Sequence, residues 1–164
     1  LDTILPMIMK KKIALLTSSL FAVGALSGCT AAGKDAPTAM IRQVTDGVEA
    51  DSGAVKVRNF ILVAQEDGSA VLVATIVNQE EPTDAITSIT ANGISATISG
   101  DLVLAKNTPV IFSGDSANAS AVFPNLGVTT GHRANVEITF ANASKISTTA
   151  LVVEKSAQFA NVSK

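Results

Sequence analysis

Residue types that commonly carry chemistry are scarce in this chain of 164 residues. It has one cysteine, Cys29, one histidine, His132, and three methionines, of which only Met40 follows the cysteine. A single thiol cannot form an internal disulfide or a thiolate cage for zinc. One imidazole and one thioether cannot supply the several soft donors that Cu(I) prefers. The chemistry of Cys29 therefore depends on the residues around it.

The residues before Cys29 have the pattern of an export signal. Lysines at positions 10–12 are followed by 16 uncharged, mostly apolar residues, 13–28. This run is shorter than the roughly 20 residues that a membrane-spanning helix needs, and it ends in the small residues Ser27 and Gly28. Residues 1–28 are therefore predicted to be a signal peptide with a helical apolar part. Translation is expected to start at Met9, so that residues 1–8 would not belong to the natural signal peptide.

Leu26, Ser27, Gly28 and Cys29 together resemble the lipobox of bacterial lipoproteins, in which a leucine and two small residues precede a cysteine. The resemblance implies that signal peptidase recognises Leu26, Ser27 and Gly28, and that Cys29 becomes the mature N-terminus. Its sulfur then carries a diacylglyceryl group and its α-amine an acyl group such as palmitate. Several acyl chains give stable anchoring, at ~0.8 kcal/mol per buried methylene.

The resemblance therefore predicts a lipid-anchored protein on the extracytoplasmic face of the cell membrane. Two alternatives remain for Cys29: a small buried cysteine after an ordinary signal peptide, or part of an uncleaved anchor helix. Residues 29–37 are small and polar and contain Gly33 and Pro37, so they are predicted to form a flexible tether.

Composition limits the partners of the exported part. From Cys29 onward there are 9 Lys and Arg residues against 13 Asp and Glu residues, a net charge of −4. An acidic chain is a poor nucleic-acid binder, because contacts to phosphate supply most of such affinity. The chain has no Trp and no Tyr, which argues against a sugar-binding platform or a base-stacking surface. The expected partners are the membrane and an envelope protein, and no small-molecule substrate is identified.

The remaining sequence predicts an all-β domain over residues 38–154, followed by a polar C-terminal tail, 155–164. Short apolar runs alternate with turn residues at intervals of about 8–12 residues, and no window has a convincing helical period. This spacing predicts eight or nine strands in an antiparallel β-sandwich, immunoglobulin-like, or a Greek-key barrel. The predicted strands cover residues 54–64, 70–78, 86–91, 94–98, 102–105, 110–112, 119–123, 133–141 and 146–153.

Three local patterns within these strands are specific. The apolar positions change parity around Arg58 and Asn59, which indicates a β-bulge or two abutting strands. The pair Asn92-Gly93 suits a type I′ turn and predicts a hairpin. Residues 133–141 alternate regularly and place Phe140 in the core.

Other residues capable of chemistry lack recognisable partners. His132, in the loop before residue 133, is interpreted as a solvated loop histidine, and a general base or metal ligand is the alternative. Acidic residues cluster at Asp46, Glu49 and Asp51 and again at Glu80, Glu81 and Asp84. Either cluster could bind Ca²⁺ through oxygen, but neither has EF-hand spacing, so solvated loop charge is expected. No catalytic residue, metal site or cofactor is assigned, and the domain is predicted not to be an enzyme.

A second resemblance covers about 100 residues. The segments 73–78, ending in Asn78, 83–89, 123–126 and 136–140, together with Gly131, resemble the PCu(A)C-type family of periplasmic copper chaperones and actinobacterial lipoproteins that share this domain. The resemblance implies a cupredoxin-like β-sandwich. The family holds Cu(I) with two His and two Met, including a His-x-Met pair.

The copper ligands of that family have no counterpart here. Residues 117–122, where the His-x-Met pair is expected, and residues 93–104, where the other ligands are expected, contain no His and no Met. The sequence therefore favours a non-catalytic β-sandwich for protein or envelope interaction. The alternative is a copper- or metal-trafficking accessory of the PCu(A)C type with a degenerate site, completed by residues of a partner.

Overall fold

The structure, a computed structural model, describes residues 46–164. The predicted signal peptide, the predicted tether and residues 38–45 lie outside the described residues. The described part is all-β, and its sole helical element is the 3-10 turn Ala157–Phe159. Residues 46–164 include no helix with the length and apolar character needed to span a membrane. The strands are β1 Val48–Ser52, β2 Val55–Ala64, β3 Ala70–Asn78, β4 Asp84–Ala91, β5 Ile94–Ser95, β6 Thr97–Gly100, β7 Val103–Leu104, β8 Val110–Phe112, β9 Ala119–Phe123, β10 Arg133–Phe140 and β11 Ile146–Glu154.

The strands form one curled sheet in the order β5-β4-β10-β11-β2-β3-β8-β9-β6, with β1 on β2 and β7 on β4. Strand β11 pairs with β10 as far as Leu151 and then with β2 from Val152 onward. At the other side, β5 pairs with β4, and β6 pairs with β9. Ala96 is the single residue between β5 and β6. These two shared connections close the sandwich into a nearly barrel-like shape.

The sheet is mixed, whereas the sequence predicted antiparallel pairing throughout. Strand β11 runs parallel to β2, with Val152 opposite Leu62, and β8 runs parallel to β9. The alternation of side chains along a strand identifies its two faces but carries no information on the direction of a neighbour that is distant in sequence. The prediction of antiparallel strand direction therefore rested on hairpin connections, and neither of these two strand pairs is joined by a hairpin.

Several local predictions are confirmed. The register of β2 with β3 shifts between Arg58 and Ile61, and Asn59 has a φ of 53°. Because of this bulge, Val57 and Phe60 both face the main core. Asn92 and Gly93 have φ values of 49° and 79° and connect β4 to β5.

The segment 94–98 differs from its prediction as a single hairpin arm. Its first two residues, Ile94 and Ser95, pair with β4, and after Ala96 the chain crosses to pair with β9. Strand β1 was not predicted, because its sequence VEADS has only two apolar residues, Val48 and Ala50, too few to establish a period.

The main core lies inside the sandwich and is built from aliphatic side chains and four phenylalanines. Phe60, Phe112 and Phe123 are fully buried, and Phe140 is 5% exposed. A second, smaller cluster of Ile61, Val63, Val71 and Val162 lies apart from it. Strand β3 contributes to both clusters, which confirms its prediction as a central strand covered on both faces.

Candidate functional site

The predicted lipid-attachment site lies outside the described residues. This applies to Cys29, to the recognition residues Leu26, Ser27 and Gly28, and also to Met40. Lipidation of Cys29 therefore stays a prediction from the sequence.

His132 is an exposed residue in the turn that leads into β10, as the sequence predicted. Its backbone N–H donates to the carbonyl of Thr129 at 3.2 Å, and its own carbonyl accepts from Val152 at 2.9 Å. The backbone of His132 thus helps to hold the start of β10 against β11. Within residues 46–164, no three His, Cys, Asp or Glu side chains lie close enough together to hold a metal ion.

The first acidic cluster is an ion-pair network rather than loop charge. Glu49 and Asp51 lie on β1, beside the basic side chains of β2. Asp51 contacts Arg58 Nη1 at 2.5 Å and Lys56 Nζ at 3.3 Å, while Glu49 lies 3.9 Å from Arg58 Nε. The hydrogen bond from Arg58 is the largest cause of the lowered pKa of Asp51. The prediction of solvated loop charge is wrong for Glu49 and Asp51, because opposite charges on paired strands lie within contact distance. It is confirmed for Asp46, which is exposed in the bend before β1.

The second acidic cluster divides into two exposed residues and one buried residue. Glu80 and Glu81 are exposed in the loop before β4, as predicted, and the Glu81–Pro82 peptide bond is cis. Asp84 is the first residue of β4 and is only 6% exposed. Its prediction as loop charge is therefore wrong.

Asp84 acts as an acceptor for backbone donors. Its Oδ1 accepts from the backbone N–H groups of Ala85 at 2.8 Å and Asn142 at 2.9 Å, and its Oδ2 accepts from that of Ala143 at 2.7 Å. Burial by itself raises the pKa of Asp84, but these backbone donors outweigh it, so the pKa lies below its usual value. A carboxylate surrounded by N–H donors is stable as an anion, and here it fastens the start of β4 to the turn after β10.

Asn78 performs a comparable task at the end of β3. Its buried side-chain amide donates to the carbonyls of Pro82 at 2.9 Å and Leu104 at 3.2 Å, and its Oδ1 accepts from the Glu80 backbone at 3.2 Å. Asn78 thereby fixes the proline-containing loop and β7. Asn78 and Asp84 belong to the segments that resemble the PCu(A)C-type family. Both residues stabilise the fold at this end of the sandwich.

A cavity of about 340 Å³ with a mixed polar and apolar lining opens at the same end. It is bounded by the β1–β2 turn, the loop before β4 and the turn after β10, and its lining includes Ser52, Asn78, Glu81, Asp84 and Ser144. The polar atoms of Asn78 and Asp84 are hydrogen-bonded within the domain. Across the described residues, every buried side-chain nitrogen or oxygen has a hydrogen-bond partner.

The segment 117–122, where the resemblance placed the His-x-Met pair, contributes a different set of contacts. Asn118 accepts from the backbone of Ile111 at 2.8 Å and donates to the carbonyl of Pro109 at 3.0 Å. Ser120 on β9 shares a 2.9 Å hydrogen bond with Ser99 on β6. These hard oxygen and amide groups connect β8, β9 and β6, and soft metals such as Cu(I) bind such groups poorly.

Comparison with known proteins establishes the fold class. No family model and no curated protein sequence matches the chain. Among solved structures, the chain is similar to the apo PCuAC domain from PmoF1, with a TM-score of 0.56 and 21% identity over 65% of this chain and 99% of that chain. It is also similar to the copper-bound PCuAC domain from PmoF2, with a TM-score of 0.56 and 17% identity over 65% and 98%. The apo form of the latter gives a TM-score of 0.55 at 16% identity. The chain therefore has a PCuAC-like, cupredoxin-like β fold.

Proposed function

We propose that this chain is an exported bacterial lipoprotein, held by lipid on Cys29 at the extracytoplasmic face of the cell membrane. Its β-sandwich serves as a non-catalytic module that binds another protein of the cell envelope. The lipobox-like residues Leu26, Ser27, Gly28 and Cys29 support the anchoring. The tether after Cys29, fully extended, spans at most about 28 Å, so the module works close to the membrane.

One observation carries the non-catalytic role. Asn118 lies in the segment where the PCu(A)C-type family is expected to have its His-x-Met pair, and both polar ends of its side chain hold β8. The neighbouring Ser120 is bonded to Ser99. A domain of this fold that uses these positions to hold strands is suited to recognition through its surface.

Metabolic labelling with an alkyne analogue of palmitate tests the anchor. We expect label on the wild-type chain and none on a Cys29→Ser variant, with the label following the membrane fraction. Export without a Cys29-dependent label would contradict the proposal.

Photo-crosslinking in membranes of the native host tests the module. A crosslinking amino acid placed at Glu80 or at Asp115, both exposed in long loops, is expected to trap a defined envelope protein. The same amino acid at Glu137, exposed on the outer side of β10, is the surface control. Equal trapping at all three positions would indicate no specific face.

A copper- or metal-trafficking accessory is the second candidate, favoured by the similarity to a copper-bound PCuAC domain. In this case a partner would supply the soft ligands. Titration with Cu(I) against a competing chelator distinguishes the two candidates when it is carried out on the full-length Cys29→Ser chain, on the crosslinked envelope protein, and on the two together. The substitution removes the free thiol, and binding beyond that of the envelope protein alone is attributed to the pair. Stoichiometric binding tighter than about micromolar would favour the copper accessory, and a His132→Ala variant would show whether the single imidazole contributes.

A further inference from the structure

The outer side of β2 and β3 carries an apolar surface that is separate from the main core. Ile61 and Val63 point there because the bulge at Asn59 changes the parity of β2, and Val71 of β3 lies beside them. Each of the three is at most 2% exposed. Half-buried valines border this surface, and they are Val73, Val122 and Val153.

The cover of this surface is a segment of the chain that follows β11. Residues 155–164, here called the C-terminal strap, place Phe159 and Val162 on the apolar surface. Val162 is 8% exposed and Phe159 is half-buried. The segment was predicted as a polar tail, and these two side chains give it an apolar side.

The strap is attached to the domain by few polar contacts. Its backbone hydrogen bonds are local, from Phe159 to Ser156 at 2.9 Å and from Val162 to Phe159 at 3.1 Å. Gln158 donates to Asp46 at 2.8 Å, and Lys164 forms an exposed ion pair with Asp67. Pairing of β11 with the sheet ends at Glu154. The strap thus rests on two apolar side chains and exposed side-chain contacts.

Two open cavities lie beside the strap. One of about 350 Å³ lies between the strap and the loop before β9, lined by Ser113, Ala117 and Ser120. Another of about 600 Å³ lies between the strap and the β2–β3 turn. An apolar surface under a loosely attached segment is a common arrangement at sites of protein interaction.

We propose that the C-terminal strap is a displaceable cover and that the apolar surface beneath it docks a segment of a partner polypeptide. The strap itself defines what the surface recognises: an aromatic residue, an aliphatic residue three positions later, and a lysine two positions after that, as in Phe159, Val162 and Lys164. Asp67 supplies the counter-charge for the lysine. This inference rests on the proposed binding of another protein and names its docking surface; it does not depend on acylation of Cys29.

A binding experiment with the full-length chain in detergent tests the proposal. The probe is a fluorescent peptide with the sequence of residues 155–164, and the variant Phe159→Ala/Val162→Ala weakens the strap in the chain. We expect the variant to bind the peptide at least tenfold more tightly than the wild type, whose surface is already covered. Equal binding by the two chains, or none by a folded variant, would overturn the proposal.

Single substitutions provide a matched comparison. Lys164→Ala and Lys145→Ala each remove an exposed ion pair, with Asp67 and Glu137 respectively, and the lysines are 46% and 50% exposed. We expect only Lys164→Ala to increase peptide binding. Equal effects would show that the strap contact is not specific. Dimerisation of the wild type that Lys164→Ala abolishes would identify a second copy as the occupant and overturn the assignment to a different partner.

Hydrogen exchange of the wild type decides the question if the double variant does not fold. We expect the amides of Phe159 and Val162, whose hydrogen bonds are local, to exchange at least tenfold faster than those of Leu72 and Ala74 in β3. Exchange of both groups at the same slow rate would make the strap an inseparable part of the folded domain and overturn the proposal.

Discussion

The carboxylate of Asp84 accepts a 2.7 Å hydrogen bond from the backbone N–H of Ala143, a residue 59 positions further along the chain. Asp84 begins β4 and Ala143 follows β10, and these two strands are neighbours in the sheet. The bond therefore joins the ends of adjacent strands where the backbone ladder has stopped. Because the carboxylate is buried and also accepts from Ala85 and Asn142, its role is to hold this end of the sandwich.

Replacing Asp84 with alanine is expected to destabilise the domain by about 3 kcal/mol, because several backbone N–H groups lose their acceptor and each unpaired buried donor costs about 1–3 kcal/mol. Chemical denaturation of the full-length chain measures the change. Asp115→Ala, at an exposed position in the loop before β9, is the control and is expected to change stability by less than about 0.5 kcal/mol. An Asp84→Ala variant as stable as the control would contradict this role.

The stability of the domain is expected to fall on acidification in a way that depends on Asp84. The pKa of Asp84 in the folded chain lies below its ordinary value of 3.8, so the unfolded chain binds the proton more readily. The stabilisation is therefore complete above the ordinary pKa and is lost as the pH falls through the lowered folded value.

Thermal melts between about pH 6 and pH 2 measure this dependence. The Asp84→Asn variant is expected to show a shallower loss of Tm below about pH 4 than the wild type. Glu137→Gln is the control, because Glu137 also has a lowered pKa, caused by its hydrogen bond from Lys145, but is exposed to solvent. Parallel curves for the wild type and Asp84→Asn would refute the assignment.

The sequence was informative where side-chain alternation or a turn signal decides the local structure. The bulge at Asn59 and the turn at Asn92-Gly93 could be predicted, because each leaves a pattern within a few residues. The parallel pairing of β11 with β2 could not, because it joins strands about 90 residues apart whose sequences do not encode relative direction. Strand β1 escaped prediction because it is short and has only two apolar residues, Val48 and Ala50, although Ala50 packs on the main core and the acidic residues pair with Lys56 and Arg58 of β2.

The chemistry of the site was harder to predict than the fold. Asp84 stands three residues after the exposed Glu81, and sequence alone assigned both to solvated loop charge. What distinguishes them is the turn after β10, which brings the N–H groups of Asn142 and Ala143 to Asp84 alone. A signal was nevertheless present: Asp84 stands just before the predicted strand 86–91, a position from which a short side chain reaches neighbouring backbone donors.

Phe140 tests the location of the main core. Its side chain belongs to the large internal cluster, and Phe140→Ala is expected to cost about 3–5 kcal/mol through lost burial and the cavity left behind. Denaturant titration measures the loss. Val103→Ala is the control, because Val103 is 50% exposed and is expected to change stability by less than about 0.5 kcal/mol. Equal midpoints for the two variants would place the core elsewhere.

A comparison of alanine substitutions at Gly100 and Gly114 separates the cost of a left-handed backbone from the cost of a steric clash. Their φ values are similar, 101° and 96°, so alanine is strained at both positions. A Cβ at Gly100 would lie 2.3 Å from the carbonyl oxygen of Asn118, whereas a Cβ at Gly114 would have no neighbour within 4 Å.

Gly100→Ala is therefore expected to destabilise the domain by about 1–3 kcal/mol more than Gly114→Ala, the usual cost of forcing extra atoms into a packed region. The clash falls at the pairing of β6 with β9, where Gly100 lies opposite Ala119. Denaturation midpoints of the two variants give the difference directly, since the backbone strain common to both cancels. Equal losses would mean that β6 moves away from β9 at little cost. That result would contradict the inference that β6 is held rigidly against β9 and that Ser99 is fixed beside Ser120.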